Sequence, residues 1–169
     1  MKAARIYARR KLEFLEIPIE PIRKGDSLIR VKEISICGTD IRIQFDNDLT
    51  SENYPFSPGI PCHEVTGIIE KSGDPHIPEG TRVLVVPSHD NGMKEFIVEP
   101  SHRIIPLPKW GKLDEWVMCQ SIGTVLYSSK QWGNPERKNI GILGQGGIGL
   151  SYTMIASKQK PSQIITIDP

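Results

Sequence analysis

Residues 138–169, KNIGILGQGGIGLSYTMIASKQKPSQIITIDP, constrain this chain more than any other stretch. Ile140, Ile142 and Leu143 read as a strand, and Ile148, Tyr152 and Ile155 then recur at helical spacing. Ile164, Ile165 and Ile167 read as a second strand, with Gly144, Gly146 and Gly149 placed between the first strand and the helix. Strand, helix and strand in that order form a parallel unit with a right-handed crossover. A lone glycine triplet is weak evidence, but the strand before it and the helix after it make the signal specific. Gly144 permits the sharp turn, Gly146 lets the backbone approach a pyrophosphate, and Gly149 lets the helix pack closely on the sheet. The helix start, with the backbone of Gly147 and Ile148, offers free N–H groups and a positive dipole end. Asp168 ends the second strand, 24 residues after Gly144, where a carboxylate suits a ribose 2′-hydroxyl and repels a 2′-phosphate. These features point to a dinucleotide, NAD over NADP; the competing reading is an ordinary strand-turn-helix with a solvated aspartate.

The rest of the chain reads differently. SLIRVKEISI places Leu28, Ile29, Val31, Ile34 and Ile36 in one long strand whose alternation slips near Lys32 and Glu33, the mark of a bulge. VTGIIEKSGD, TRVLVVP and KEFIVEP are three more strands, each ended by glycine, proline or both. Several short strands with little helix suggest a compact barrel-like β unit. RIIPLPKW closes that region, and LDEWVMCQSIGTVLYSSKQW changes to helical period through Leu113, Trp116, Val117 and Gln120, with Gly123 expected to break or kink it. QFDNDLTSENYPFSP reads as a polar loop.

The composition excludes several function classes. With 21 Lys and Arg against 20 Asp and Glu, scattered and giving a net charge of +1, nothing marks a surface for nucleic acid or for a membrane. The basic start MKAARIYARR lacks a following apolar run, so no signal peptide is read, and no window approaches the roughly 18 apolar residues of a membrane span. Three widely spaced cysteines, with the cytoplasmic location this implies, speak against a disulfide framework and leave thiols that are either inert or ligating.

Cys37 in SICGTD, His63 and Glu64 in PGIPCHE, and Cys119 are the soft or imidazole groups in ligand-like settings. Catalytic zinc takes three such protein ligands and keeps a fourth position open. Alone this scatter is a weak signal, since buried structural cysteines are common and a His-Glu pair on a loop is usually solvated.

Taken in order, ICGTD, PGIPCHEVTGII, GTRVLVVP, NGMKEFIVEPSHRIIPLP and ILGQGGIGL resemble the successive motifs of the medium-chain zinc-dependent alcohol dehydrogenases, with their polyol and threonine dehydrogenase relatives. The resemblance runs over essentially the whole chain. It implies an α/β protein with a mainly β part: a GroES-like β-barrel catalytic domain over 1–111, then a linking helix and the βαβ beginning of a Rossmann domain over 112–169. It also implies that Cys37 and His63 ligate zinc, and that Glu64 can swing onto the metal or its surroundings. The third ligand is Cys119, 25 residues before Gly144, or Glu64 in its stead; at 24 residues, where other relatives carry Cys or Glu, stands Gln120. Thr39 matches a hydroxyl that passes the alcohol proton, Asp40 a carboxylate that orients the histidine, and Thr124 a residue near the nicotinamide. Each of these three also suits a cap or turn.

The chain departs from the family pattern in several places. Arg42 stands where many relatives have a relay histidine, and an arginine stays protonated. Cys62 replaces a glycine, which threatens to crowd the loop or set a stray thiol beside the metal. PSHDNGMKEF runs straight through where relatives insert a four-cysteine lobe, so one catalytic zinc and no structural zinc is expected, with His89 a surface residue. Relatives also continue beyond the second strand, so the sequence reads as truncated, and a homo-oligomer is left open for a longer form. The expected reaction is hydride transfer between a small-molecule alcohol, or an aldehyde or ketone, and NAD. Two alternatives stand beside it: a zinc-free relative of the quinone or enoyl reductase type, and a non-catalytic remnant that binds zinc or a partner.

Overall fold

A computed structural model describes residues 1–46 and 54–169. Residues 47–53 of the loop QFDNDLTSENYPFSP, read above as polar, therefore lie outside the described residues. The chain divides into two compact units, Met1–Met118 and Cys119–Pro169.

In the first unit, β3 (Asp26–Ser35), β4 (Glu64–Lys71), β5 (Arg82–Val85), β6 (Phe96–Pro100) and β7 (Ile104–Pro106) form an antiparallel sheet in the order β6-β3-β4-β5-β7, curled as a half-barrel. The mainly β reading of this region holds. Ile29, Val65, Ile69, Val83, Val85, Ile97 and Ile104 point to one side, where each is almost fully buried and Cys62 joins them. Full burial of one such branched side chain is worth about 1.5–3 kcal/mol, so this cluster is what holds the sheet together.

The bulge expected near Lys32 is present: Val31 pairs with Gly67 and Glu33 with Thr66, leaving Lys32 as the extra residue. The slip keeps Ile34 on the face of Ile29 and Val31, opposite Val65, yet Ile34 and Ile36 are exposed, and the strand ends at Ser35. The chain then enters a short π-helical turn, Asp40–Phe45, immediately after the ICGT segment.

A hairpin absent from the sequence reading precedes the sheet. β1 (Lys2–Ala8) pairs with β2 (Lys11–Glu16), with Ile6 buried and opposite Leu12. Alternation in KAARIYA and KLEFLE carried the signal. The hairpin tip grips the π-helical turn: Arg9 and Arg10 donate to the two carboxylate oxygens of Asp46 at 2.8 and 2.6 Å, and the Arg10 N–H reaches the Phe45 carbonyl at 2.8 Å.

The helical region also needs a correction. It consists of α1 (Leu113–Trp116) and α2 (Cys119–Ser129), separated at Val117 and Met118, and α2 runs unbroken through Gly123. Gly123 is exposed with open space around it, so nothing there forces a bend. The break falls after α1 because α1 is anchored to the first unit, where the Thr66 hydroxyl donates to the Leu113 carbonyl at 3.1 Å and Val117 is buried.

In the second unit, β8 (Asn139–Leu143) and β9 (Gln163–Ile167) pair in parallel, with α3 (Gly147–Ser157) crossing between them. This is the strand-helix-strand unit the periodicity calls for. Tyr152 of α3 meets α2, its hydroxyl 2.7 Å from that of Ser128. Among the described residues no helix is long and apolar enough to cross a membrane.

Candidate functional site

The segment after β3 and the segment before β4 lie side by side because their strands are hydrogen-bonded neighbours up to the Ser35–Glu64 pair. That places Cys37 and His63, far apart in sequence, at one end of the sheet. Ligand atoms of Cys37, Asp40 and His63 all lie within 4.8 Å of one another. Asp40 is the hub: it is only 1% exposed, one carboxylate oxygen faces His63 Nδ1 at 3.4 Å, and the other accepts the Cys37 N–H at 2.9 Å. A carboxylate committed in this way holds both neighbours in place rather than ligating. With Nδ1 turned to Asp40, His63 keeps Nε2 as a lone-pair donor.

The Cys37 sulfur lies 2.6 Å from the Thr39 hydroxyl and takes the Thr39 N–H at 3.3 Å. Glu64, first residue of β4, is 3% exposed and is not among the three residues whose ligand atoms converge. A thiol and an oriented imidazole are donors suited to zinc.

Cys62 is not a stray thiol at this site. It is fully buried in the apolar cluster, its sulfur 3.6 Å from the Glu64 carbonyl and 3.7 Å from that of Ser35. Burial, foremost, pushes its thiol up to about 12, so it stays neutral. The expected crowding is relieved by Gly92. A methyl group there would press on Val65 and lie 3.2 Å from the Cys62 sulfur. The segment DNG, within the run where relatives insert a lobe, wraps this position: Cys62 N–H donates to the Asp90 carbonyl at 2.6 Å and Gly92 N–H to the Cys62 carbonyl at 3.0 Å. Sequence reading missed this Cys62–Gly92 pair, whose partners meet only through the fold. His89 is exposed beside it.

Cys119 begins α2 in the second unit, half-buried, with desolvation pushing its thiol up. Thr124, also on α2, is exposed and donates its hydroxyl to the Ser121 carbonyl at 2.7 Å. The glycine turn is in the same unit. Gly144 has φ +89°, a conformation costly for any residue with a Cβ, and its N–H donates to the Ile167 carbonyl at 2.7 Å. That bond brings the turn and Asp168, the exposed residue after Ile167, to one end of the strand pair. A Cβ on Gly149 would collide with the Gly144 carbonyl, whereas one on Gly146 or Gly147 would meet open space. Gly149 is therefore demanded by the protein's own packing. Gly146 and Gly147 are not, and open space lies over them at the start of α3.

Residues 23–154 match the alcohol dehydrogenase GroES-like domain family. The chain is 26% identical over 172 residues to an L-idonate 5-dehydrogenase of Vitis vinifera, covering 85% of this chain and 47% of that protein. It is likewise 26% identical over 188 residues to an L-threonine 3-dehydrogenase of Bacillus subtilis, covering 90% and 52%. Among solved structures, galactitol-1-phosphate dehydrogenase from Escherichia coli superposes with a TM-score of 0.85 at 20% identity, covering 99% of this chain and 56% of that one. A putative zinc-binding dehydrogenase from Sinorhizobium meliloti, bound to NADP, gives 0.82 at 21% identity, covering 98% and 55%.

A protein with this half-barrel and this Cys-Asp-His group is of the medium-chain dehydrogenase type. The chain belongs to the alcohol dehydrogenase GroES-like domain family. It spans about half the length of the curated relatives it matches.

Proposed function

We propose that this chain supplies the metal-binding and nucleotide-phosphate-binding parts of a zinc-dependent oxidoreductase that transfers a hydride between an alcohol, or the corresponding aldehyde or ketone, and NAD. The observation that carries this reading is the convergence of Cys37, Asp40 and His63 within 4.8 Å. When bound, zinc supplies Lewis-acid polarisation of the substrate oxygen, and the nicotinamide supplies the hydride acceptor or donor.

The chain's own residues do the rest. Cys37 and His63 hold the cation through Sγ and Nε2, and the third donor is Cys119 or Glu64. Asp40 fixes the imidazole and, through the Cys37 N–H, the position of the sulfur. The Thr39 hydroxyl, exposed at the rim, takes up or gives the alcohol proton at Oγ1. Arg42 cannot follow it as a titrating relay, so the proton passes from Thr39 to solvent. In the second unit, the N–H groups of Gly147 and Ile148 hold the pyrophosphate, and Asp168 takes the ribose hydroxyls of NAD and disfavours NADP.

The test has two readouts. Purified without chelator, the chain should carry about one zinc per molecule, and NAD should bind more tightly than NADP in a calorimetric titration. A panel of alcohols and polyols, followed by nicotinamide absorbance, then reports turnover. A metal-free chain that reduces a quinone would overturn the reading in favour of a zinc-free reductase, and bound zinc with silence across the panel would leave a binding module.

A further inference from the structure

Gln145 stands inside the glycine run GQGGIG, and the proposed chemistry makes no use of its side chain. The turn that carries the run is tied down at one end and open at the other. At Gly144 the N–H donates to the Ile167 carbonyl at 2.7 Å, and the carbonyl accepts from the Gln145 side-chain amide at 2.8 Å. Gln145 Oε1 lies 3.1 Å from the hydroxyl of Thr153 on α3, and the same hydroxyl lies 3.0 Å from the Gly149 carbonyl. The neighbours dictate how the amide is turned. A carbonyl oxygen only accepts, so Nε2 faces Gly144; Oε1 then faces Thr153, whose single proton is shared between Oε1 and the Gly149 carbonyl. A threonine bonding back to the carbonyl four residues earlier is common in helices. The link onward to Gln145 is what joins α3 to the turn before it, through two half-buried side chains. At the open end, Gly146 precedes α3 without a side-chain cap, and no acidic residue stands in the helix's first turn. No side chain there takes up the helix's free N–H groups.

We propose that Gln145 and Thr153 are positioning residues for the nucleotide site, a role that rests on the dinucleotide reading above. Their linked side chains hold the turn at Gly144 while Gly146 and Gly147 stay bare for the pyrophosphate. Gly144, with φ +89°, and the glycines after it have wide conformational freedom. Without the link, that freedom would have to be given up when the ligand binds. Ordering the turn beforehand strengthens binding although neither side chain needs to touch the ligand.

The experiment titrates the 169-residue chain with ADP-ribose, which carries the pyrophosphate, and with adenosine, which does not, both followed by nuclear magnetic resonance. Gln145→Ala should weaken ADP-ribose binding about three- to tenfold, the worth of one hydrogen bond, and leave adenosine binding unchanged. Thr153→Val should do the same, whereas Thr153→Ser keeps the hydroxyl and should retain the unsubstituted affinity. Gln145→Glu sets a carboxylate against the Gly144 carbonyl and should weaken ADP-ribose more than Gln145→Ala does. The double variant Gln145→Ala with Thr153→Val should lose little more than the larger single loss, since both act through the same link. Should Thr153→Val fold poorly, Gln145→Ala and Gln145→Glu carry the test. A merely structural role would weaken ADP-ribose and adenosine alike, and that result would overturn the positioning role. So would ADP-ribose affinity unchanged by Gln145→Ala. An unsubstituted chain that binds neither ligand would overturn the dinucleotide reading itself, and the positioning role with it.

Discussion

The metal group and the glycine turn are built on opposite plans. Around Cys37, Asp40 and His63 every polar atom that positions the group is tied to another part of the same unit, and its hub, Asp40, is 1% exposed. At Gly146 and Gly147 a Cβ would meet open space at the start of α3. In the first arrangement the residues hold each other; the second leaves room for the ligand proposed above. Substitution should therefore act on metal binding through internal geometry in the first unit, and on nucleotide binding with little change in stability in the second.

Removing a donor gives the largest expected effect. Cys37→Ser or His63→Ala should reduce zinc content from about one per chain to nearly none, measured by elemental analysis, because two remaining donors are too few. A loaded Cys37→Ser chain would break the contrast. Next, Asp40→Asn preserves shape and removes charge, and should weaken zinc affinity by about 10–100-fold in a competition titration.

Three glycine substitutions sharpen the comparison. Gly149→Ala puts a methyl on the Gly144 carbonyl and should cost about 1–3 kcal/mol in urea unfolding. Gly146→Ala should change stability by no more than about 0.5 kcal/mol while weakening NAD binding. In the first unit, Gly92→Ala presses on Val65 and Cys62 and should cost a similar amount. Combined with Cys62→Ala, it should show a coupling of about 0.5 kcal/mol or more, because the sulfur it meets is gone.

The same contrast explains what could be read from the sequence. The glycine turn was legible because strand, turn and helix are contiguous, so spacing alone fixes where Gly144, Gly149 and Asp168 stand. The bulge at Lys32 was legible for the same reason, as a slip in local alternation. The fit of Cys62 against Gly92 was not, because its partners are remote in sequence and meet only through the fold. The reading of Gly123 as a helix break went wrong on the same count: the anchoring of Leu113 by Thr66, remote in sequence, set the interruption at Val117 and Met118 instead.

The smallest expected effect concerns pH. Hydrogen bonds from Arg10 and Arg9 hold the Asp46 carboxyl below its ordinary value, and a bond from the His76 N–H does the same for Asp74. A lowered folded-state value means that the stabilisation is complete above the ordinary carboxylate range and is lost as pH falls through the lowered one. Thermal unfolding of Asp46→Asn should therefore lose part of the wild-type decline on acidification. Both groups face solvent, so salt should mute the difference.

The central claim is that Cys37 and His63 share one cation held in place by Asp40, and X-ray absorption at the zinc edge tests it most directly. The loaded chain should show sulfur near 2.3 Å together with nitrogen or oxygen near 2.0–2.1 Å, and Cys37→Ser, forced to load with excess zinc, should lose one sulfur from that shell. A shell of nitrogen and oxygen alone, unchanged by Cys37→Ser, would contradict it.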